Sequence, residues 1–167
     1  MSVENFWLEA ILILILIFAN GFFASAEIAV IAMRKSRIDA LVGKGIKSAA
    51  AVARLKNDPD RFLATVQIGV TVISSLASAI GGAAAIGFLK PQIASAPIPL
   101  IARWAEAIAL LIVVLPISYL SLVLGELVPK SLALRFSEQI ACFAARPIEL
   151  LARANSLFVK LLTASSN

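Results

Sequence analysis

Three long apolar runs divide the chain, and each is separated from the next by a polar stretch of different character. The first extends from Phe6 to Met33 around AILILILIFA, the second from Phe62 to Leu89 without a charge, and the third from Ala107 to Gly125, also without one. A helix needs roughly 20 apolar residues to cross a bilayer, so each run predicts a transmembrane helix. Between the first two, SRIDALVGKGIKSAAAVARLK predicts two short helices broken near Gly43 to Gly45. Asp58 before Pro59 then supplies an N-cap acceptor and a proline at the first helical position, so the second span is expected to begin below the membrane. Near the end, Ile148, Leu151, Ala154, Phe158 and Leu161 recur at helical spacing opposite Glu149, Arg153, Ser156 and Lys160. That pattern predicts an amphipathic helix over about 146–162, lying on the inner membrane surface or packing against the bundle.

Composition agrees with an all-α membrane protein forming a single transmembrane domain over 1–167. Hydrophobic residues make up 60% of the chain, charged residues only 15%, and mean hydropathy is +0.95. The net charge of +5 does not point to nucleic acid, because no basic face carries interleaved aromatics. It sets orientation instead. Eight lysines and arginines lie between Arg34 and Arg61, whereas the stretch from Lys90 to Glu106 has only Lys90 and Arg103. The positive-inside rule therefore places the basic stretch in the cytoplasm, the N-terminus outside and the C-terminus inside. Ala24, Ser25 and Ala26 imitate a signal-peptide cleavage site, but the preceding residues carry Glu4 and Glu9 rather than a basic region, so an uncleaved first span is expected.

Polar residues inside the spans are the candidate chemistry, because each is costly in hydrocarbon. The first span has Asn20, Ser25 and Glu27; the second has Gln67, Thr71, Ser74, Ser75 and Ser78 along overlapping stripes; the third ends at Glu126. Small hydroxyl residues at such spacing also serve simply to let helices approach. Glu126 has two readings: an interfacial partner of Lys130 four residues later, or a cation ligand. Pro129 is expected to free backbone carbonyls such as those of Leu124 or Gly125, and Pro116 to break the span earlier. A carboxylate beside free carbonyls and hydroxyls suits a hard cation. With no histidine and a single cysteine, Cys142, neither a Cys/His zinc site nor a histidine relay is available, and no hydrolase motif suggests an enzyme.

NGFFASAEIA, DRFLATVQIGVT and LGELVPKSLA, in that order, resemble the transmembrane domain of the cyclin M/CorC family of magnesium transporters over almost the whole chain. The resemblance implies a homodimer with three spanning helices per protomer that exports Mg²⁺, exchanged for Na⁺. On the matching positions it implies Ser25, Ser75, Gly125 and Glu126 as Mg²⁺ ligands, with Asn20, Thr71 and Ser78 as supporting residues or sodium ligands. It also implies a following pair of ATP-binding CBS domains, which these 167 residues do not contain. A membrane anchor or sensor that binds Mg²⁺ and regulates another transporter is the alternative expectation.

Overall fold

In the computed structural model, residues 3–95 and 97–154 are described, and among them the regular structure is entirely helical. Helix α1 spans Val3–Ala32, α2 Lys35–Gly43, α3 Lys47–Asn57 and α4 Pro59–Ala84. A π-helical turn, Ala85–Leu89, joins α4 to the short α5, Lys90–Ala94; α6 covers Pro99–Arg103 and α7 Ala105–Leu122. A second π-helical turn, Val123–Leu127, leads into α8, Val128–Arg135, and α9 follows over Ser137–Ala154. Three helical stretches are long and apolar enough to cross a membrane: Phe6–Ala32, Pro59–Ala94 and Ala105–Arg135. The second and third outrun the apolar windows read from sequence because helical structure continues through the π turns into α5 and α8. Pro116 lies inside α7 without ending it. A proline in a membrane helix is tolerated when neighbouring groups satisfy the backbone it leaves free.

The expected break between α2 and α3 is present. Gly45 holds it with φ of +76°, a left-handed conformation that suits glycine, and Ile46 N–H closes the turn on the Leu41 carbonyl at 3.2 Å. At the start of α4, Asp58 Oδ1 accepts from Arg61 N–H at 3.3 Å, with Pro59 in the first turn.

The best-packed part of the bundle is at the basic end. There Phe23, Ala26, Ala29 and Val30 of α1, with Met33 just after it, meet Ile38, Val52, Leu55, Phe62 and Val66 of the next three helices. Ala133, Ala141, Ala144, Ala145 and Ile148 of α8 and α9 close the same cluster. Alanines at these contacts let helix axes approach closely. Lys56 adds a polar tie, its ammonium donating to the Val30, Ile31 and Met33 carbonyls at the end of α1. Cations at a helix C-terminus are favoured by its dipole and its unpaired carbonyls.

Helix α9 packs against the bundle, on α1, α3 and α4, and starts at Ser137, earlier than the amphipathic pattern indicated. Residues 155–167, and with them Phe158 and Leu161, lie outside the described residues. Ile148 is buried as expected, whereas Leu151 and Ala154 are exposed, because the buried face follows Ala141, Ala144, Ala145, Ile148 and Ala152. Glu149 fixes α9 to α3 through a two-pronged pair with Arg54, at 2.7 and 2.8 Å, and also accepts from Arg153 at 2.8 Å.

These bonds, with the Arg54 pair foremost, hold the Glu149 carboxyl down at about 2. The folded value is depressed, so the stabilisation is complete above the ordinary carboxylate range and is lost as pH falls from about 4.5 toward about 2. Thermal melts of the detergent-solubilised chain should show a falling midpoint across that window, and the fall should be smaller in Glu149→Gln. Equal pH profiles for the two proteins would remove Glu149 from the account.

Candidate cation site

Pro129 determines the backbone at the end of the third span. It has no N–H, so the α-helical bond it would have given to the carbonyl four residues back, that of Gly125, cannot form. The chain widens into the π turn Val123–Leu127, where Val128 N–H bonds the Val123 carbonyl five residues back. Asn20 of α1 supplies a replacement donor: its Nδ2 lies 3.2 Å from the Gly125 carbonyl oxygen, and the residue is only 2% exposed.

Glycines make this approach possible. A Cβ on Gly125 would come within 3.2 Å of Asn20 Nδ2, 3.3 Å of the Ile17 carbonyl and 3.5 Å of Ser121 Oγ. One on Gly21 would lie 2.9 Å from Pro129 Cγ and 3.0 Å from the Leu124 carbonyl. Helix α1 and the π turn are thus in backbone contact, with oxygen-bearing groups on both sides. The Asn20 side chain has a second end, Oδ1, which is buried and accepts no hydrogen bond from the described residues. A buried, unpartnered amide oxygen is costly unless something else meets it, and a cation is one such group.

The remaining residues singled out from sequence divide into two groups. Ser25 lines a small apolar recess with Gly21, Leu124 and Pro129, and its hydroxyl donates to its own helix, to the Phe22 carbonyl at 2.9 Å. Glu126 is half-exposed and its Oε2 lies 3.5 Å from Lys130 Nζ, so the ion-pair contact is formed in this conformation. Ser75, Thr71 and Ser78 do not join them. They are exposed on an outward face of α4, together with Gln67 and Ser74. Glu27 is half-buried and forms no ion pair among the described residues. No cluster of three or more His, Cys, Asp or Glu side chains suited to a metal occurs among them either.

Ser121 was not singled out from sequence, and neither was the Ile17 carbonyl. The available signal for Ser121 was its position one helical turn before Gly125, on the same face.

Residues 11–167 match the family described as the cyclin M transmembrane N-terminal domain. A UPF0053 protein of Synechocystis is 39% identical over 160 residues, covering 96% of this chain and 35% of its own length. The UPF0053 protein YhdP of Bacillus subtilis is 31% identical over 156 residues, 93% of this chain and 35% of that protein. A polyamine export protein of Haemophilus influenzae is 29% identical over 134 residues, 77% of this chain and 29% of its own. The chain therefore spans about a third of the length of the curated relatives it matches.

The close approach of α1 to the π turn can be tested by adding one methyl group. Gly21→Ala should destabilise the fold by about 1–3 kcal/mol, the usual cost of overpacking against atoms that cannot move aside. Gly82→Ala, where a Cβ would meet nothing within 4 Å, should be close to neutral. Thermal melts of the two variants in one detergent compare them directly, and equal midpoints would contradict the contact.

Proposed function

The chain belongs to the cyclin M transmembrane family, and from that premise we propose that it is the membrane domain of a Mg²⁺ exporter, working as a Na⁺-coupled secondary transporter. The observation that carries this reading is the Gly125 carbonyl, freed by Pro129 and met by Asn20, whose own amide oxygen is buried with no partner among the described residues. Gly125 and Glu126 are the proposed core of the Mg²⁺ site, with Asn20 as a supporting or sodium-binding residue. Magnesium parts with water reluctantly, so neutral oxygens alone would compensate it poorly, and a carboxylate is needed. In the loaded state Glu126 leaves Lys130 for the cation. Ser25 would join by exchanging its bond to Phe22, and Ser75 is assigned as a ligand by family resemblance, with Thr71 and Ser78 in support.

The outward polar face of α4 also supports the proposed homodimer. Gln67, Thr71, Ser74, Ser75 and Ser78 cannot remain against lipid tails without loss, and a second copy presenting the same stripe would cover them. The basic helices α2 and α3 are placed in the cytoplasm by the positive-inside rule. Moving two positive charges outward against an inside-negative 100 mV costs roughly 4.6 kcal/mol, so export requires coupling. An inward sodium gradient is the proposed source.

The name of the Haemophilus relative makes an organic polycation the competing cargo. A carboxylate with neutral oxygens could hold an ammonium group as well as a metal.

Calorimetric titration of the purified chain and flux in liposomes test the reading together. Glu126→Gln should abolish Mg²⁺ binding, whereas Lys130→Gln should retain it, because removing an exposed pair partner costs only about 0–1 kcal/mol. Near-normal affinity in both variants would reject the ligand role of Glu126. Mg²⁺ flux should depend on an opposing sodium gradient. Binding without flux in any gradient would favour a sensor, and flux of a polyamine in place of Mg²⁺ would reassign the cargo. In the same assays Cys142→Ala should behave as wild type, since the proposed cage uses only oxygen.

A further inference from the structure

The backbone device at Gly125 occurs twice. Gly87-Phe88-Leu89-Lys90-Pro91 and Gly125-Glu126-Leu127-Val128-Pro129 share the spacing G-x-L-x-P, and each contains a π turn in the same register, Ala85–Leu89 and Val123–Leu127. In the first, Lys90 N–H bonds the Ala85 carbonyl five residues back, as Val128 does in the second. Helices α4 and α7 are consecutive spans that pack together and run in opposite directions, so the two turns lie at different depths, the first toward the start of α1, where Phe88 meets Phe6, and the second against its middle, at Ile17 to Gly21. In many secondary transporters a pair of Gly/Pro-interrupted spans at corresponding positions marks the ion-binding region.

Three observations connect the far turn to the site at Gly125. A cavity of about 480 Å³ between α1, α4 and α7 runs from Phe88 and Leu89 to Ile17 and Leu120, and the Ile17 carbonyl is one of the groups packed on Gly125. Phe6 stacks on Phe88, with ring centroids 4.6 Å apart, so the start of α1 lies against the far turn. The buried side-chain oxygens that have no hydrogen-bond partner among the described residues are Asn20 Oδ1 and Glu9 Oε2. They are eleven positions apart on nearly the same face of α1, about 16 Å along its axis at 1.5 Å per residue; Asn20 is bonded to the near turn, and Glu9 follows Phe6, the residue stacked on the far one, by about one helical turn. Beside the far turn Lys90 donates to Glu106 Oε2, which parallels the Lys130–Glu126 pair at the near one.

We propose that the far π turn is the release end of the cation pathway, with Glu9 as the carboxylate that receives the ion and the Lys90–Glu106 pair as the latch that closes it. This rests on the transporter reading. The cavity between the turns is a groove, with Leu14, Ile112 and Leu120 exposed along it in the single chain, and its lining is almost wholly apolar; a path of that kind, once covered, would exclude hydrated ions until it is wetted. The lysine is a tethered cation that occupies Glu106 while the path is shut. An exposed pair contributes little to stability, so it can open without unfolding the bundle.

Val113 lines the cavity, and a cysteine there reports water, because a membrane-impermeant thiol reagent reacts only with a hydrated thiol. In a Cys142→Ala, Val113→Cys background, Lys90→Gln and Glu106→Gln should each raise the labelling rate from the extracellular side by about two- to fivefold, the shift expected when an exposed pair is lost. The reversed pair, Lys90→Glu with Glu106→Lys, should restore the slow rate. Glu9→Gln should leave calorimetric Mg²⁺ affinity within about twofold of wild type while lowering flux at least about tenfold, a change the loss of one ion-receiving carboxylate readily accounts for. Unchanged labelling in the latch variants, or flux and affinity falling together in Glu9→Gln, would overturn the proposal. Absence of flux in the wild-type chain with the labelling pattern intact would reject the transporter reading and the role of Glu9, leaving the latch as a conformational element.

Discussion

The membrane half of the molecule depends on a hydrogen bond that a proline makes impossible. Pro129 withdraws the donor from the Gly125 carbonyl, and in hydrocarbon that carbonyl has no water to turn to. Two remedies are present together: the backbone widens into a π turn, and Asn20 reaches across from α1 to donate. The second requires α1 to come very near, and Gly21 and Gly125 remove the side chains that would prevent it. The close helix contact and the oxygen-rich surroundings thus have a common origin in one missing N–H.

The two ends of the bundle are stabilised by different physics. At the basic end, small buried side chains, Lys56 on the α1 carbonyls and the Glu149 pairs fix α2, α3 and α9 to the spans. Within the membrane the third span buries few of its side chains in the single chain, and α4 carries hydroxyls on its outer face. Lipid satisfies the apolar surface of α7, but not the polar stripe of α4. A rigid base with more loosely joined spans is the distribution of stability that a moving membrane element requires.

What the sequence made legible follows from how local each signal is. The three spans, the break at Gly45 and the Asp58-Pro59 start of α4 depend on runs, caps and single residues, and all are found. The start of α9 was not legible, since the buried positions from Ser137 to Ala145 are Ala141, Ala144 and Ala145, whose burial depends on what packs against them. Pro129 was read as freeing a carbonyl, that of Leu124 or Gly125, yet nothing local chose Gly125 or assigned Asn20, 105 positions away, as its donor. The serines of α4 had the right spacing to share a face, but periodicity does not say which way a face points.

That limit bears on how the site would work. The single chain places Asn20 and Gly125 together and leaves Glu126 on Lys130 and Ser25 on Phe22, so two of the proposed oxygen ligands are satisfied by partners that a cation could replace. Each exchange is close to balanced, since an exposed ion pair and an intrahelical hydroxyl bond are both weak. Such a site can release its ion as readily as it takes it up. An already complete carboxylate cage would hold a divalent cation more firmly than a carrier can use, because conduction needs binding weak enough to leave. These weak, exchangeable contacts suit the ligand exchange that the proposal requires, and the freed carbonyl of Gly125 is the fixed point about which such a site would assemble.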